Sequence, residues 1–449
     1  MPAGARRRAS VTPADRWQYV ASWRHWLTPG MGVKRHVAWV VFGALLSAGG
    51  FAIAVLWLLG EGRRELAAPL EQVLIGDAWA RYAGWAGAAV AFAGTSVAVV
   101  AIGRLNRSLL SNWVTRPHEV AEVLHRRLVL ARGPRIVALG GGTGLSVLLR
   151  GLREHTSQVT AVVAVSDDGG STGRLRAAFG MPAPGDLTDC LAALATDEAA
   201  LGRLLQYRFR RGDELLGHTF GNVLIATLNE VEGDFGDALR SLNRLLELQG
   251  AVWPATPLPV TLRVTKADDT VVAGESAVRV VPGASARLEL LPGDAEAMPE
   301  AVAAIAHAEL VVLGPGSLFT STLPPLMVPG VSEALRTTSA RIVYVANLMT
   351  EAGETDGFDL WRHVEILHAH LGRWPDVVLG NRTSIDETRL SAYATEGAEP
   401  VPFDPTRIEA AGMTTTAAPL LGHGRHAQHD PAALARALVA LAPKHRSVR

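Results

Sequence analysis

The sequence predicts a doubly wound α/β fold: a mostly parallel sheet with a small antiparallel β-hairpin insertion, preceded by an N-terminal two-helix transmembrane hairpin. Three observations support this prediction. From residue 134 onward, short apolar runs alternate with helical runs and with Gly-, Ser- and Asp-rich turns, as in parallel α/β sheets. Residues 257–280 instead alternate partly between polar and apolar side chains. Two long uncharged runs lie near the N-terminus.

The composition excludes several classes of protein. The chain has 449 residues, and its 43 basic residues balance 43 acidic ones. A nucleic-acid-binding protein needs a clustered surplus of Lys and Arg, so no nucleic-acid partner is expected. Cys190 is the only cysteine, which rules out an internal disulfide and a metal cage made of cysteines alone. We expect Cys190 to pack as a small apolar side chain in the helix that follows Asp186.

The two uncharged runs are Val37–Leu59 and Tyr82–Gly103. A helix needs about 20 apolar residues to cross the hydrocarbon core of a bilayer, so both are long enough to span it. The second run is mostly Ala, Gly and Val, a composition that also fits a buried helix of a soluble protein. The basic residues on the outer flanks outnumber those in the connecting loop, which predicts a multi-pass protein of the cell membrane with both termini and the main domain in the cytoplasm. The predicted organisation is a basic segment (1–36), a transmembrane hairpin (37–103, with spans at about 37–59 and 82–103), a linker with a short helix (104–133) and an α/β domain (134–449).

Within the α/β domain, five apolar runs bounded by turn residues are predicted to be parallel strands covered on both faces. A helix is predicted at Leu145–Leu152 and another at Pro431–Leu441. The insertion is predicted as a hairpin of Val260–Val264 and Val271–Val278. The five predicted strands are Arg135–Leu139, Val159–Val165, Leu310–Leu313, Ile342–Val345 and Val377–Leu379.

A glycine-rich turn, Gly140–Gly144, follows the first predicted strand and opens a helix. Backbone amides at a helix N-terminus favour an anion such as a phosphate. The turn does not match the dinucleotide fingerprint, because Leu145 stands at the position of the third glycine, and no Gly-Lys-Ser/Thr of a P-loop follows. The alternative is a tight strand-to-helix turn without a ligand.

The carboxylates of Asp167 and Asp168 follow the second predicted strand. Such a pair can hold Mg²⁺, accept a sugar hydroxyl or act as a base, and it can also simply cap the next helix. Arg174 is a potential phosphate partner. Further polar turns also lie mostly just past predicted strands, so we expect them to line one cleft. They are Pro184–Asp186, His218–Asn222, Gly314–Ser317, Asn347 and Asn381.

Near the C-terminus, His423, His426 and His429 stand three residues apart. Three imidazoles can form a zinc site, but Asp430 is the only acidic neighbour and no sulfur is present. The alternative is a polar connection to the final helix.

Taken together, these segments resemble the family that unites 2-phospho-L-lactate transferase with the bacterial gluconeogenesis-factor proteins of the YvcK type. The resemblance runs from about Arg135 to the C-terminus. The N-terminal hairpin departs from it, because the familiar relatives are cytoplasmic and lack such a segment. The matching stretches are Gly140–Ser146, Val165–Arg176, Pro184–Asp186, Gly217–Asn222, Gly314–Leu318 and Asn347–Asp356.

The resemblance implies a Rossmann-like fold and a nucleotide-type ligand. It favours a membrane-tethered, cytoplasm-facing regulator that binds a UDP-sugar such as UDP-N-acetylglucosamine, supports cell shape and envelope growth under gluconeogenic conditions, and requires no cofactor. The alternative is a Mg²⁺-dependent phosphotransferase like the 2-phospho-L-lactate transferase, with Asp167 and Asp168 as metal ligands. The implied partners are the UDP-sugar, the membrane, a second copy of the chain and proteins of envelope synthesis.

No catalytic residue is assigned from the resemblance. Family members carry a basic residue before a His-Asp pair ahead of the last helix, and here Arg425 lies slightly earlier than that position. The candidate ligand-binding residues are Gly140, Gly141, Gly142, Thr143, Gly144, Asp167, Asp168, Gly170, Ser171, Arg174, Asp186, Asn222, Gly316, Ser317, Asn347 and Arg425.

Overall fold

The structure is a computed structural model that describes residues 33–61, 82–110, 128–394, 397–424 and 426–443. The chain divides into two compact units, residues 1–125 and residues 126–449. The second unit begins before the predicted boundary at residue 134, because the Leu130 carbonyl already accepts a hydrogen bond from the Ser157 amide. Most of the basic N-terminal segment, and most of the linker with its predicted short helix, lie outside the described residues.

The first unit is an antiparallel pair of helices, Val33–Glu61 and Ala83–Leu110, which we call the N-terminal helix pair. The helices meet backbone to backbone at glycines. A Cβ atom on Gly50 would lie 2.4 Å from the amide nitrogen of Ala91, and one on Gly94 would lie 2.4 Å from that of Ser47. Cβ atoms on Gly43 and Gly87 would lie 2.7 Å and 2.8 Å from the backbone of the other helix, so each helix carries two glycines seven residues apart along the seam. Ser47 and Thr95 form a hydrogen bond of 2.9 Å across it.

Most of the large side chains of the N-terminal helix pair point outward, although Trp57 packs over Gly84 of the second helix. Phe92 is 77% exposed and Trp85 is 72% exposed. A water-soluble helix pair places its large apolar side chains between the helices, whereas this pair places glycines there, as membrane helices commonly do. By length and composition, Arg35–Leu59 and Ala83–Asn106 are sufficient to cross a membrane, with mean hydropathies of 2.1 and 1.9. The two predicted helices are confirmed, and their crossing of a membrane stays a prediction.

The second unit is built on a parallel sheet of seven strands in the order β10-β9-β8-β7-β1-β2-β3. All five predicted strands are confirmed. Ile136 of β1 is in register with Val159 of β2 on one side and with Leu310 of β7 on the other. All five residues of β1 are buried, and because successive side chains point to opposite faces, the sheet is covered on both. The strands are β1 (Ile136–Gly140), β2 (Val159–Val163), β3 (Ala251–Pro254), β7 (Leu310–Leu313), β8 (Arg341–Val345), β9 (Val377–Asn381) and β10 (Thr414–Ala418).

The insertion is a three-stranded antiparallel sheet in the order β5-β4-β6, formed by Thr261–Lys266 (β4), Val271–Ala273 (β5) and Ser285–Leu291 (β6). The predicted hairpin exists, but two details of the prediction are wrong. The second strand ends at Ala273 rather than at residue 278, because Gly274 turns the chain at a φ of +92° and a helix, Glu275–Val280, follows. The third strand, β6, was not predicted.

Helices connect the parallel strands and complete the core. The predicted helix at Leu145–Leu152 begins three residues earlier, and the final helix has its predicted bounds. Cys190 is fully buried, as predicted, and burial raises the pKa of its thiol. The helices are Gly142–Leu152, Gly170–Phe179, Gly185–Leu194, Arg203–Leu205, Phe220–Glu232, Phe235–Leu245, Glu275–Val280, Pro299–His307, Leu323–Leu326, Pro329–Thr337, Leu360–Leu371, Glu387–Ala394, Thr406–Ala410 and Pro431–Leu441, with π-helical turns at Glu198–Gly202 and Leu318–Thr322.

Candidate ligand-binding cleft

A cleft of about 670 Å³ lies at the carboxyl ends of the central parallel strands. In chain order the sheet runs outward from β1 through β2 to β3 on one side, and through β7 and β8 on the other. The direction of the strand order therefore reverses between β1 and β7, which is where open α/β sheets bind their ligands. The volume is in the usual range for a small-molecule site.

The glycine turn after β1 forms one wall of the cleft and requires its glycines for close packing. A Cβ atom on Gly141 would lie 2.3 Å from a carboxylate oxygen of Asp186. One on Gly144 would lie 2.3 Å from the carbonyl oxygen of Pro315, in the turn after β7. The two glycine-rich turns therefore pack directly against each other, and the helix Gly142–Leu152 opens at the cleft with its first amides directed toward it.

The structure brings nine of the candidate residues together, as the strand-end argument predicts. They come from four segments that follow β1, β2, β7 and β8, and from the start of the helix Gly185–Leu194. Their contact with a ligand stays a prediction. The nine residues lining the cleft are Gly141, Gly142, Thr143, Gly144, Asp167, Asp186, Gly316, Ser317 and Asn347.

Other candidates lie beside the cleft rather than in its lining. Ser171, with its Oγ 2.8 Å from His218 Nδ1, belongs to a buried polar network in which Thr188 donates a 2.9 Å hydrogen bond to the side chain of Asn222. Arg174 donates to the carbonyl of Leu216. Of the remaining candidates, Gly140 ends β1 and Gly170 begins a helix. Asn381 bonds Thr383 of its own loop and accepts a hydrogen bond from the Leu420 amide, and Arg425 lies outside the described residues.

The two adjacent aspartates accept hydrogen bonds from different segments. Asp167 lines the cleft and accepts a 2.9 Å hydrogen bond from the Gly169 amide, whereas Asp168 accepts one of 2.9 Å from the amide of Ser276 in the insertion. Neither accepts a hydrogen bond from an amide within the helix Gly170–Phe179, and its N-cap residue, Gly169, supplies no side-chain cap. Among the described residues, no group of three or more His, Cys, Asp or Glu is arranged to hold a metal ion.

Several lining residues were missed by the sequence analysis. Glu275 and Arg279 lie four apart on the short helix of the insertion and face the cleft together. The i, i+4 spacing of Glu275 and Arg279 is a signal for two neighbouring side chains on one face of a helix. The strand predicted for Val271–Val278 hides this signal, because four residues of a strand separate side chains by about 13 Å. Further missed lining residues are Asp189, Ser321 and Glu351, and His429, considered above only as a zinc ligand, lines the cleft as well.

Burial raises the pKa of two carboxyl groups in the cleft. The pKa of Asp186 rises to about 7, first through loss of solvent and then through the charges of Asp167 and Asp189, although the Gly142 amide donates to it and opposes the shift. The pKa of Glu275 rises to about 9 for the same first reason, with the charges of Asp186 and Asp167 adding to it. At neutral pH the cleft therefore carries fewer negative charges than its carboxyl groups suggest.

The carboxyl groups of Asp167, Asp186 and Glu275 form an acidic wall of the cleft, and Arg279 places a positive charge within it. Its guanidinium donates to Glu275 at 3.2 Å and lies 3.5 Å from the completely buried Glu354. Burial raises the pKa of Glu354 to about 7, and the charge of Glu351 adds to the shift. The buried Lys266 fixes the loop that carries Glu351 and Glu354. Its ammonium group donates hydrogen bonds to the carbonyl of Gly353 in that loop and to the carbonyl of Val278 in the insertion.

Asn347 and His429 also line the cleft, and both are only 9% exposed. Asn347 Oδ1 and His429 Nε2 have no hydrogen-bond partner among the described residues. Burial lowers the pKa of His429 to about 4, against a hydrogen bond to the backbone of Ala346 that favours its charged form. His429 is therefore a neutral side chain at the cleft, while His423 and His426 are exposed.

Comparison with known proteins agrees with this architecture. The family profile named "2-phospho-L-lactate transferase CofD" matches residues 136–421. A Bacillus subtilis protein named gluconeogenesis factor is 40% identical over 63% of this chain and 90% of its own length. The chain belongs to the gluconeogenesis-factor family and carries its CofD-type domain.

Members of the gluconeogenesis-factor family differ at the N-terminus. A Deinococcus radiodurans protein, assigned the same name provisionally, is 43% identical over 93% of this chain and 89% of its own length. Because that match leaves out only 7% of the chain, it must extend into the N-terminal helix pair. The expectation that relatives lack this segment is thus wrong for part of the family.

The CofD-type domain also occurs in a solved structure. A crystal structure of a Bacillus halodurans protein, 38% identical in sequence, matches with a TM-score of 0.66 and covers 69% of this chain and 100% of its own. The α/β fold therefore forms in a relative whose crystallised chain is matched throughout its length.

Proposed function

We propose that this protein is a regulator that binds a nucleotide sugar of the UDP-sugar class in the CofD-type cleft and is held at the cytoplasmic face of the cell membrane by its N-terminal helix pair. The observation that carries the proposal is the cleft between β1 and β7, where the strand order reverses and two glycine-rich turns pack together beside the carboxyl groups of Asp167 and Asp186. The proposal extends to a role in cell shape and envelope growth under gluconeogenic conditions.

The chemistry of the cleft suits a diphosphate joined to two sugars. The opening amides of the helix Gly142–Leu152 favour a phosphate. Arg279 supplies a guanidinium that can pair with a second phosphate oxygen. The Asp167 carboxylate, with only the Gly169 amide as a partner among the described residues, can accept a sugar hydroxyl.

The composition of the N-terminal helix pair supports the membrane tether. Glycine seams between helices and large apolar side chains outside them are favourable in lipid and unfavourable in water. The tether places a sensor of an envelope precursor beside the machinery that consumes it.

The first experiment is a calorimetric titration of the full-length protein in detergent with UDP-N-acetylglucosamine, with and without Mg²⁺, using NAD and GDP as controls. We expect saturable binding that depends on the uracil ring and produces no turnover. Replacing Asp167 with Asn should weaken binding, whereas Asp168→Asn, which keeps the acceptor for Ser276, should leave it nearly unchanged. Absence of UDP-sugar binding would refute the regulator.

The second candidate is a Mg²⁺-dependent phosphotransferase similar to 2-phospho-L-lactate transferase. The specific observation in its favour is the match of the CofD profile to residues 136–421, together with the acidic wall of the cleft. On this proposal Asp167 and neighbouring carboxylates would hold the metal, which supplies charge neutralisation at the phosphoryl group. A Mg²⁺-dependent response to guanine nucleotides in the same titration, lost in Asp167→Asn, would support the enzyme instead of the regulator.

A further inference from the structure

One end of the N-terminal helix pair contains a groove of about 330 Å³ that the cleft chemistry does not use. Arg35 and Arg104, from the first and second helix, lie at the end of the groove nearest the helix termini. Val97 and Val100 line it farther along the second helix, and Trp39 forms its flank. The groove therefore changes from cationic to apolar along the helix axis, over roughly 10 Å at 1.5 Å per residue.

Within the described parts of the N-terminal helix pair, the positive charge of this groove has no acidic residue nearby. Among residues 33–61 and 82–110, Glu61 is the only acidic residue, and it lies at the far end of the first helix, roughly 40 Å from Arg35 at the helical rise per residue. Neither Arg35 nor Arg104 forms a salt bridge with another residue of these two ranges. Both guanidiniums remain available to an anion from outside the helix pair.

We propose that this groove binds an anionic phospholipid, with the headgroup phosphate between Arg35 and Arg104 and the first part of an acyl chain along Val97 and Val100. Guanidinium groups bind phosphate oxygens through paired hydrogen bonds, and basic pockets between helices at the cytoplasmic side select anionic headgroups. Trp39 follows Arg35 by about one helical turn, and tryptophan side chains favour the membrane interface. This inference rests on the proposed membrane tether.

The test uses the full-length protein in detergent and measures lipid adducts by native mass spectrometry. The probes are phosphatidylglycerol, the zwitterionic phosphatidylcholine, and glycerol 3-phosphate, which has the phosphate without the acyl chains. We expect tight binding of phosphatidylglycerol alone. In the double variant Arg35→Gln/Arg104→Gln its affinity should fall about 30-fold, the loss expected for two cations at a membrane surface. Arg35→Lys/Arg104→Lys, which keeps both charges, should restore most of it.

The matched control is Arg63→Gln/Arg64→Gln, which removes two charges from the segment between the helices and should leave lipid binding unchanged. Equal binding of phosphatidylglycerol and phosphatidylcholine, or an equal loss in the control variant, would overturn the lipid site. Equal binding of glycerol 3-phosphate would overturn it too, because the apolar part of the groove would then have no role.

Failure of the tether itself is detected separately, by carbonate extraction of cell membranes. Release of the wild-type chain by carbonate would refute the tether, whereas the adduct measurement in detergent decides the lipid site by itself. Retention of the chain together with selective phosphatidylglycerol binding would support both.

Discussion

Position 144 requires a glycine for packing rather than for backbone conformation. Its ideal Cβ position lies 2.3 Å from the carbonyl oxygen of Pro315, so the turns after β1 and β7 touch at this residue. The contact joins the two strands between which the strand order reverses. A larger residue must separate them, and the cleft would widen where the phosphate is proposed to bind.

Gly144→Ala should therefore reduce both stability and ligand affinity. Overpacking a closely packed contact costs about 1–3 kcal/mol. The matched control is Gly293→Ala, where the added Cβ would meet only the Leu290 carbonyl at an ordinary 3.5 Å. Thermal unfolding and calorimetric titration would check the pair, and equal behaviour of the two variants would contradict the proposed contact.

Glu275 is a second residue whose role depends on its surroundings. Its pKa of about 9 in the folded chain lies above the unfolded value near 4.5, so the folded state binds the proton more tightly. Its stabilising contribution is therefore complete below pH 4.5 and is lost as pH rises through 9.

Glu275→Gln keeps the shape of this side chain and removes its titration. We expect the melting temperature of the variant, relative to wild type, to increase between pH 5 and pH 8. Over this range the wild-type carboxyl group ionises in the unfolded chain but stays protonated in the folded chain, which disfavours folding, whereas Gln does not titrate. Differential scanning fluorimetry at the two pH values measures the effect. A constant difference between the two proteins would show that Glu275 is not buried as the structure has it.

At the scale of elements, the backbones of the N-terminal helix pair approach each other closely at four glycines, and a fifth, Gly84, accommodates the side chain of Trp57. The Gly50 Cβ position lies 2.4 Å from the backbone of Ala91, while the neighbouring Gly49 has nothing within 4 Å. Adjacent glycines thus have opposite environments, because one faces the second helix and the other does not.

This difference predicts that Gly50→Ala separates the helices and Gly49→Ala does not. The measurement is disulfide formation between Ser47→Cys and Thr95→Cys, whose hydroxyl groups are 2.9 Å apart in the wild type, in membranes under mild oxidation. The disulfide yield should be high in the double-cysteine protein and in its Gly49→Ala variant, and low in its Gly50→Ala variant. The native Cys190 is buried and does not compete. Equal yields in both glycine variants would be incompatible with the seam.

For the whole molecule, ligand binding should be coupled to proton exchange, because Asp186 has a pKa near 7 and lies in the cleft. An anion bound without metal favours the protonated carboxyl, so protons are taken up. A Mg²⁺–nucleotide complex favours the ionised carboxyl, so protons are released.

Calorimetric titration at pH 7 in two buffers of different ionisation enthalpy measures this exchange. We expect its sign to reverse when Mg²⁺ is added, and its size to fall in Asp186→Asn. Asp168→Asn is the control, because that carboxylate contacts Ser276 outside the cleft lining. Unchanged proton exchange in Asp186→Asn would contradict the assignment to this residue.

The sequence alone determined the elements whose signal is local. The five central strands were predictable because strands buried on both faces must be continuous apolar runs, and the glycine turns because they stand between a strand and a helix. The edge strands β3 and β10 were missed. The sequence of β10, Thr-Thr-Thr-Ala-Ala, is partly exposed and has no such run.

Only the tertiary structure decided which polar residues share the cleft. Asp167 and Asp168 are neighbours in the chain, yet one lines the cleft and the other bonds the insertion. Glu275 joins Asp186 there although almost ninety residues separate them in sequence. The pKa of a carboxyl group depends on how much solvent the fold removes from it and on which charges the fold brings near. Neither quantity is encoded in the residue's local sequence.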